Sequence, residues 1–174
     1  MGYSGGGGGG YSGGAGGPQN LQYPGGGGGG SYNSGTGQNN SIRTDSGHGK
    51  VIITLLLPVQ YIFTNAGATG RQGPTQAQID SNYSSTNLAS AVTINTQGIQ
   101  EWTIPEDGNY SIEVLGAQGG RGGADSPVVE GGLGAKIKGV FNLSKNGVLK
   151  IMVGQKGLGG GNGIGGGGGG GSFV

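Results

Sequence analysis

Runs of consecutive glycines limit most strongly what this chain can fold into. Glycine accounts for 49 of the 174 residues, and it dominates residues 2–17, 25–37, 116–134 and 154–171. A glycine run has no side chain to bury and loses much backbone entropy when it becomes ordered. Such tracts are therefore either flexible linkers or segments whose own backbone groups find partners.

Extended glycine has one regular structure that meets this requirement, the left-handed polyglycine II helix, with about three residues per turn and a rise of about 3.1 Å. Its N–H and C=O groups point outward, so such helices satisfy one another when they lie side by side without any intervening Cβ. Short tracts of nearly pure glycine, each joined to strand-like sequence, favour this bundle over linkers. The predicted packing positions are Gly5, Gly8, Gly25, Gly28, Gly119, Gly122, Gly165 and Gly168.

The sequence between the tracts predicts β-strands. Turn residues between alternating segments indicate one hairpin over residues 100–115 and a second over residues 135–153, the latter around Asn146-Gly147. Residues 74–81 predict a short helix. Together these segments describe a mainly β, antiparallel sandwich. Further strands are predicted at residues 50–57, 61–64 and 91–94.

The tracts and the strands are expected to fold as one cooperative unit. A net hydrogen bond contributes about 1 kcal/mol, whereas ordering a residue costs about 1–2 kcal/mol, so a glycine bundle needs strands to clamp its ends. The predicted organisation is a glycine-rich segment at 1–49, sandwich strands at 50–115, a glycine-rich insertion at 116–134, a hairpin completing the sandwich at 135–153, and a glycine-rich segment at 154–174.

Composition and charge exclude several classes of function. The formal net charge is +1, and no basic run is interleaved with aromatic residues, so we expect no nucleic-acid partner. The absence of cysteine removes disulfides and thiolate metal sites, and a single histidine makes zinc a poor fit. The longest apolar run, residues 51–59, is far shorter than the about 20 residues of a membrane helix. We expect no cofactor, no metal and no membrane span.

No set of residues has the spacing of an active site. His48 lies beside Asp45 and Ser46 in one turn, whereas a catalytic triad is assembled from separate parts of a fold, so a solvated turn histidine is the simpler interpretation. The Gly-x-Gly pattern at residues 159–163 lacks the strand and helix that surround a nucleotide site. The chain is therefore predicted not to be an enzyme.

Several strings downstream of Phe63 match a known family. They are Phe-Thr-Asn-Ala-Gly-Ala-Thr-Gly from Phe63, Gly-Pro-Thr-Gln-Ala-Gln from Gly73, Gly-Ile-Gln-Glu-Trp from Gly98 and Gly-Ala-Gln-Gly-Gly from Gly116. Residues 63–157 thus resemble the TNF-like and glycine-rich extracellular region of the anaplastic lymphoma kinase and leukocyte tyrosine kinase receptors. The resemblance implies a jelly-roll-like (TNF-like) sandwich fused to polyglycine II helices, a plan also seen in bacterial glycine-rich surface proteins. It does not imply signalling, because the chain lacks the receptors' cysteines, membrane span and kinase motifs.

The order of the segments differs from that of the family and looks circularly permuted. Sequence like residues 25–35 and 47–53 normally closes the domain in these receptors, but here it comes first. Either the chain closes on itself as a monomer, with residues 55–60 bridging the old termini, or the N-terminal half of one subunit completes the next subunit head to tail. Open glycine edges favour the second arrangement, which builds a filament.

Two functions follow from these expectations. The first is an extracellular structural protein that self-assembles into a filament or matrix and has itself as partner. The alternative is an adhesin or ligand-binding ectodomain module, monomeric or a closed oligomer, that recognises a cell-surface or glycan ligand. Exposed loops would carry that specificity, with Arg71, Asp125 and Glu130 as candidate residues. Asp125 and Glu130 also leave weak Ca²⁺ binding open, although a solvated loop is the simpler interpretation. No signal peptide is visible after Met1.

Overall fold

Alternating apolar and polar residues organise much of the chain into β-strands. The computed structural model describes residues 5–10, 13–16, 25–32, 34–55, 59–123, 129–160 and 165–174. The strands are β1 (Thr36–Ile42), β2 (Lys50–Leu55), β3 (Gln60–Phe63), β4 (Val92–Thr96), β5 (Ile99–Thr103), β6 (Gly108–Leu115), β7 (Ala135–Leu143) and β8 (Val148–Met152), and the helix is α1 (Gln76–Tyr83).

The strands form two antiparallel sheets that enclose one core. One sheet has the order β1-β7-β6-β2-β3 and the other has the order β4-β5-β8. Trp102 of β5 is 1% exposed, and its ring centroid lies 5.8 Å from that of Phe63 and 6.2 Å from that of Tyr110, both on the opposite sheet. The predicted mainly β, antiparallel architecture is confirmed. The core also contains Val51, Ile53, Ile112 and Val114 from the larger sheet, Val92 and Ile151 from the smaller, and Ile79 and Tyr83 from α1.

Both predicted hairpins are wrong. Strands β5 and β6 belong to different sheets, as do β7 and β8, so residues 100–115 and 135–153 each cross from one sheet to the other. The two crossings bond to each other: the Ile104 N–H donates to the Gly147 carbonyl at 2.8 Å, and the Asn146 N–H donates to the Ile104 carbonyl at 2.9 Å. Turn residues specify a reversal of direction, not the sheet that the next strand joins. The strands divide between two facing sheets because this arrangement buries apolar faces that an isolated hairpin leaves exposed.

Helix α1 confirms the short predicted helix and is anchored through a buried polar cluster. Thr75 caps its N-terminus in a capping box with Gln78. The Tyr83 hydroxyl donates to Gln100 Oε1 at 2.8 Å, and Gln100 Nε2 donates to the Thr64 carbonyl at 2.8 Å. Burial raises the pKa of Tyr83, which keeps this hydroxyl protonated. No helix in the described ranges has the length and apolarity needed to cross a membrane.

Strand β1 lies within the predicted glycine-rich segment 1–49 and was not expected. Its sequence, TGQNNSI, is exposed throughout, so it lacks the apolar alternation that marks a half-buried strand. It pairs with β7 at the edge of the larger sheet, with an irregular register between Thr36 and Asn39. Polar residues and a bulge are common ways to prevent further pairing at a sheet edge.

The glycine tracts continue strands β6 and β7 and remain hydrogen-bonded to each other, with a changed spacing. Strand β6 runs into residues 116–122, and residues 129–134 run into β7. The Gly116 N–H donates to the Ala135 carbonyl at 2.8 Å, and the Gly119 N–H donates to the Gly132 carbonyl at 2.9 Å. The N–H groups that bond to one neighbouring tract are thus three residues apart, whereas side chains in the strands alternate with a period of about two.

The same spacing of three recurs between the other tracts and surrounds tract 25–30. This tract is buried along its whole length and bonds to tracts 5–10, 116–122, 129–134 and 165–171. The backbone of each tract therefore supplies the partners for its neighbours. The bonded pairs join Gly6 and Gly9 to Gly166 and Gly169, Gly27 and Gly30 to Gly6 and Gly9, Gly26 and Gly29 to Gly120 and Ala117, and Gly132 and Ala135 to Gly26 and Gly29.

Close packing makes a sharp prediction for Gly28. A Cβ at Gly28 would lie against the Leu133 carbonyl oxygen, far inside van der Waals contact. We expect Gly28→Ala to lower the free energy of unfolding by about 3 kcal/mol, because rigid neighbouring backbone must move. Thermal unfolding followed by circular dichroism measures the loss.

Gly9→Ala provides the matched control, since the nearest atom to its Cβ would be the Gly169 carbonyl oxygen at 4.0 Å. Its free energy of unfolding should change by less than about 1 kcal/mol. Equal melting temperatures for the two variants would show that tract 25–30 is not closely packed.

Candidate functional site

An open groove of about 760 Å³ lies where the smaller sheet meets the glycine tracts. One wall consists of residues 70–73 and of residues 96–99 at the turn between β4 and β5. The other wall consists of residues 152–158 and of the C-terminal part of tract 165–171 with Phe173, and the two walls meet where Ile99 of β5 pairs with Met152 of β8. The groove is therefore built from both parts of the fold.

Glycines hold the first wall in place. Gly73 and Gly98 both have positive φ, at 73° and 87°, and a Cβ on Gly73 would lie 2.6 Å from the Gly98 Cα. The Gly98 N–H donates to the Pro74 carbonyl at 3.1 Å, and Gln97 Nε2 donates to the Gly73 carbonyl at 3.2 Å. Only glycine permits this close approach of the two loops, which positions Arg71 beside the groove.

The second wall of the groove is held in place by hydrogen bonds to strand β8 and to the residues that follow it. Met152 and Phe173 exchange backbone hydrogen bonds at 3.0 and 2.9 Å. The buried Ser172 hydroxyl donates to the Leu115 carbonyl at 2.8 Å and accepts from the Gly154 N–H at 3.0 Å. Ser172 thus ties the end of tract 165–171 to both β6 and β8.

The groove presents cations and apolar groups together. Arg71 is exposed and Lys156 is half-buried, and the lining contains no aspartate or glutamate. This arrangement attracts an anionic group and offers apolar contact. Within the described ranges, no cluster of three or more metal-ligating side chains is present. Apolar and amide residues of the lining are Ile99, Met152, Val153, Leu158, Phe173, Gln72, Gln97 and Gln155.

The structure separates the predicted loop residues. Arg71 lines the groove, whereas Glu130 is exposed outside its lining at the start of tract 129–134. Asp125 lies outside the described residues. Lys156 was not predicted as a site residue, although a lone cation among glycines is a sequence signal for one. Of the predicted packing glycines, Gly8, Gly25, Gly28, Gly119 and Gly168 leave no room for a Cβ, Gly5 and Gly122 are buried, and Gly165 is half-buried.

Arg43 joins the larger sheet to the tracts, and the sequence analysis did not identify it. Its side chain is 3% exposed, and it donates from Nε and Nη2 to the Asp45 carboxylate at 3.0 and 2.9 Å. It also donates to the carbonyls of His48 at 2.6 Å and Gly116 at 3.2 Å. The hydrogen bond from Arg43 is the main cause that lowers the pKa of Asp45. Such a fork of donors satisfies backbone carbonyls where sheet and tracts meet.

Gln118 and His48 extend this junction towards the groove. Buried Gln118 accepts from the Gly47 N–H at 3.1 Å through Oε1 and donates from Nε2 to the Gly131 carbonyl at 3.1 Å. His48 is exposed, as expected for a turn histidine, but its Nδ1 accepts from the Lys156 N–H at 2.8 Å. Partial burial, followed by the charges of Lys156 and Arg43, lowers the pKa of His48. Neutral His48 therefore helps to hold the groove segment that carries Lys156.

The chain is similar to a receptor over about half of its length. It is 35% identical over 101 residues to the leukocyte tyrosine kinase receptor of Mus musculus, which confirms the resemblance found in the sequence. The match covers 56% of this chain but only 11% of the receptor, so the chain corresponds to a small part of that protein. No protein-family model matches the chain. No solved structure matches it either.

The bond to His48 predicts a pH dependence of stability. Because the folded state lowers the pKa of His48 below the ordinary value of 6.5, the unfolded state binds the proton first. The free energy of unfolding should therefore decrease modestly as the pH falls below 6.5. Asp45 acts at lower pH, since its pKa is depressed below 3.8.

Urea unfolding at about pH 7.5 and about pH 5.5 measures the effect of His48. Since the chain has one histidine, His48→Gln should remove most of the difference between the two midpoints. A variant that keeps the whole difference would show that another group is responsible.

Proposed function

We propose that this chain is an extracellular ligand-binding module, without enzymatic activity, that binds its ligand in the groove between sandwich and tracts. The observation that carries the proposal is the similarity of about half of the chain to a receptor, in a structure that presents an open groove. Rigid walls made by Gly73, Gly98 and Ser172 suit recognition by a preformed surface. The extracellular location follows from the resemblance to the receptors' extracellular region.

We further propose that the sandwich is of the TNF-like, jelly-roll type and that the tracts are polyglycine II helices. Support for the helices comes from donors that recur every three residues, the repeat of a threefold helix. Backbone handedness agrees, because Gly10 is the one glycine with positive φ among the described residues of tracts 5–10, 25–30 and 165–171. A left-handed threefold helix requires negative φ, about −75°.

The packing of the N-terminal tracts favours a single-chain module over a head-to-tail filament. Tracts 5–10 and 25–30 bond to tracts 116–122 and 165–171 of the same chain, and β1 pairs with β7. The surface that a neighbouring subunit would complete is thus covered within one chain. The permuted order then closes on itself, the first of the two arrangements that the sequence left open.

Sedimentation velocity over a wide concentration range distinguishes the module from the filament. We expect one species near the chain mass of 16.9 kDa at every concentration, because the tracts are partnered internally. Larger species that grow with concentration, or fibres in negative-stain images, would favour self-assembly instead.

Ligand binding is tested with the purified chain on arrays of short peptides and of glycans. Met152 is 45% exposed in the groove, so Met152→Trp should obstruct it, and we expect ligands that bind the wild type but not this variant. Circular dichroism checks that the variant folds. Binding that is never affected by Met152→Trp would refute the groove as the ligand site.

A further inference from the structure

We infer that the groove binds an extended acidic peptide segment whose carboxylates face Arg71 and Lys156 and whose apolar side chains contact Met152, Leu158 and Phe173. The inference rests on the proposed binding function and names the chemical class of its ligand. It depends on the charges, the apolar surface and the glycine backbone of the groove.

The charges of the groove favour an anionic ligand. Three ion pairs are formed by the described residues, Arg43 with Asp45, Lys136 with Glu113 and Lys150 with Glu101, and none includes Arg71 or Lys156. Among the described residues, no aspartate or glutamate lines the groove beside these two cations. An anionic ligand is therefore attracted, and a guanidinium binds a carboxylate with two parallel hydrogen bonds.

The number of cations favours a peptide over a sulfated glycan. A polyanion gains affinity from many basic residues, but the described lining holds two cations, Arg71 and Lys156, and the chain has a net charge of +1. Single carboxylates at two positions match what the groove provides. The amides of Gln72, Gln97 and Gln155 offer donors and acceptors for a peptide backbone.

Apolar surface beside the cations requires a ligand with apolar side chains. Leu158 is 79% exposed and Met152 is 45% exposed, and both line the groove together with half-buried Phe173. Covering such side chains contributes about 25 cal/mol per Å² of apolar surface removed from water. A ligand with acidic and apolar residues next to one another in sequence supplies both kinds of group within one short extended segment.

The glycine backbone of the groove suits an extended chain. Gly154, Gly157, Gly168 and Gly170 contribute backbone atoms to the groove lining, and their Cβ positions point at backbone of neighbouring segments of the protein. Residues 154–158 span about 12 Å at the rise of a threefold helix, which equals the length of about four residues of extended peptide. The groove therefore accommodates a short linear segment.

Fluorescence anisotropy with the intact chain and an end-blocked, labelled hexapeptide of alternating leucine and glutamate tests the inference. A matched hexapeptide of alternating leucine and glutamine should bind about tenfold or more weakly, since it lacks the charges. Arg71→Glu and Lys156→Glu should each weaken the binding of the acidic peptide by about tenfold or more. Lys145→Glu changes the net charge equally but lies in the β7–β8 turn, at the other end of β8 from the groove, and should leave binding unchanged.

Arg71→Gln and Lys156→Gln remove each positive charge without adding a negative one, so they test the loss of charge in variants that are less prone to misfold. Melting curves check that every variant is folded. Equal binding of the two hexapeptides, or binding unaffected by the charge reversals, would overturn the inference. Binding of a heparin hexasaccharide with no peptide binding would also overturn it and indicate a glycan ligand. If neutral or basic peptides bind and Met152→Trp abolishes their binding, the proposed function stands and this inference fails. If no probe depends on the groove, both fail.

Discussion

Hydrogen bonding between neighbouring glycine backbones is the interaction on which the rest of this structure depends. A glycine tract has no side chain to bury, so its only route to order is to satisfy its N–H and C=O groups with other tracts. Tract 25–30 achieves this with four surrounding tracts and is buried throughout. Since each bond contributes little net free energy, order also requires strands that hold the tract ends in register, as β6 and β7 do for tracts 116–122 and 129–134.

The junction between sheets and tracts is where two different periods meet. Side chains alternate with a period of about two along a strand, while the tract bonds repeat every three residues, so the two ladders cannot continue without adjustment. Buried polar side chains bond the backbone groups at this boundary: Arg43 reaches the Gly116 carbonyl, Gln118 the Gly131 carbonyl and Ser172 the Leu115 carbonyl. On the side of the smaller sheet, the same boundary leaves the groove that holds Arg71 and Lys156.

Local pattern predicted the elements better than their partners. Alternation and β-branched residues located β2, β3, β4, β5, β6, β7 and β8 to within a few residues, and the Thr75 capping box begins the predicted helix. The hairpins failed because the turns at 105–107 and 144–147 are compatible with both a hairpin and a crossing between sheets. Strand β1 was missed because its exposed, polar residues carry no alternation. Of the two groove cations, the sequence predicted Arg71, because the exposure of a loop is a local property. It did not predict Lys156, because the placement of both residues in one groove depends on the fold.

By itself, the sequence determined that the tracts must pack by backbone or remain coil, that the segments between them contain the β-strands, and that thiol chemistry is absent. These properties depend on residue type and local order, which are present in the chain before it folds. The tertiary structure alone decided that successive strands divide between two sheets, that the N-terminal tracts pack within the same chain, and that Arg71 and Lys156 share one groove. Those outcomes depend on contacts between residues far apart in the chain, where burial of both sheet faces and mutual satisfaction of the tracts outweigh local preference.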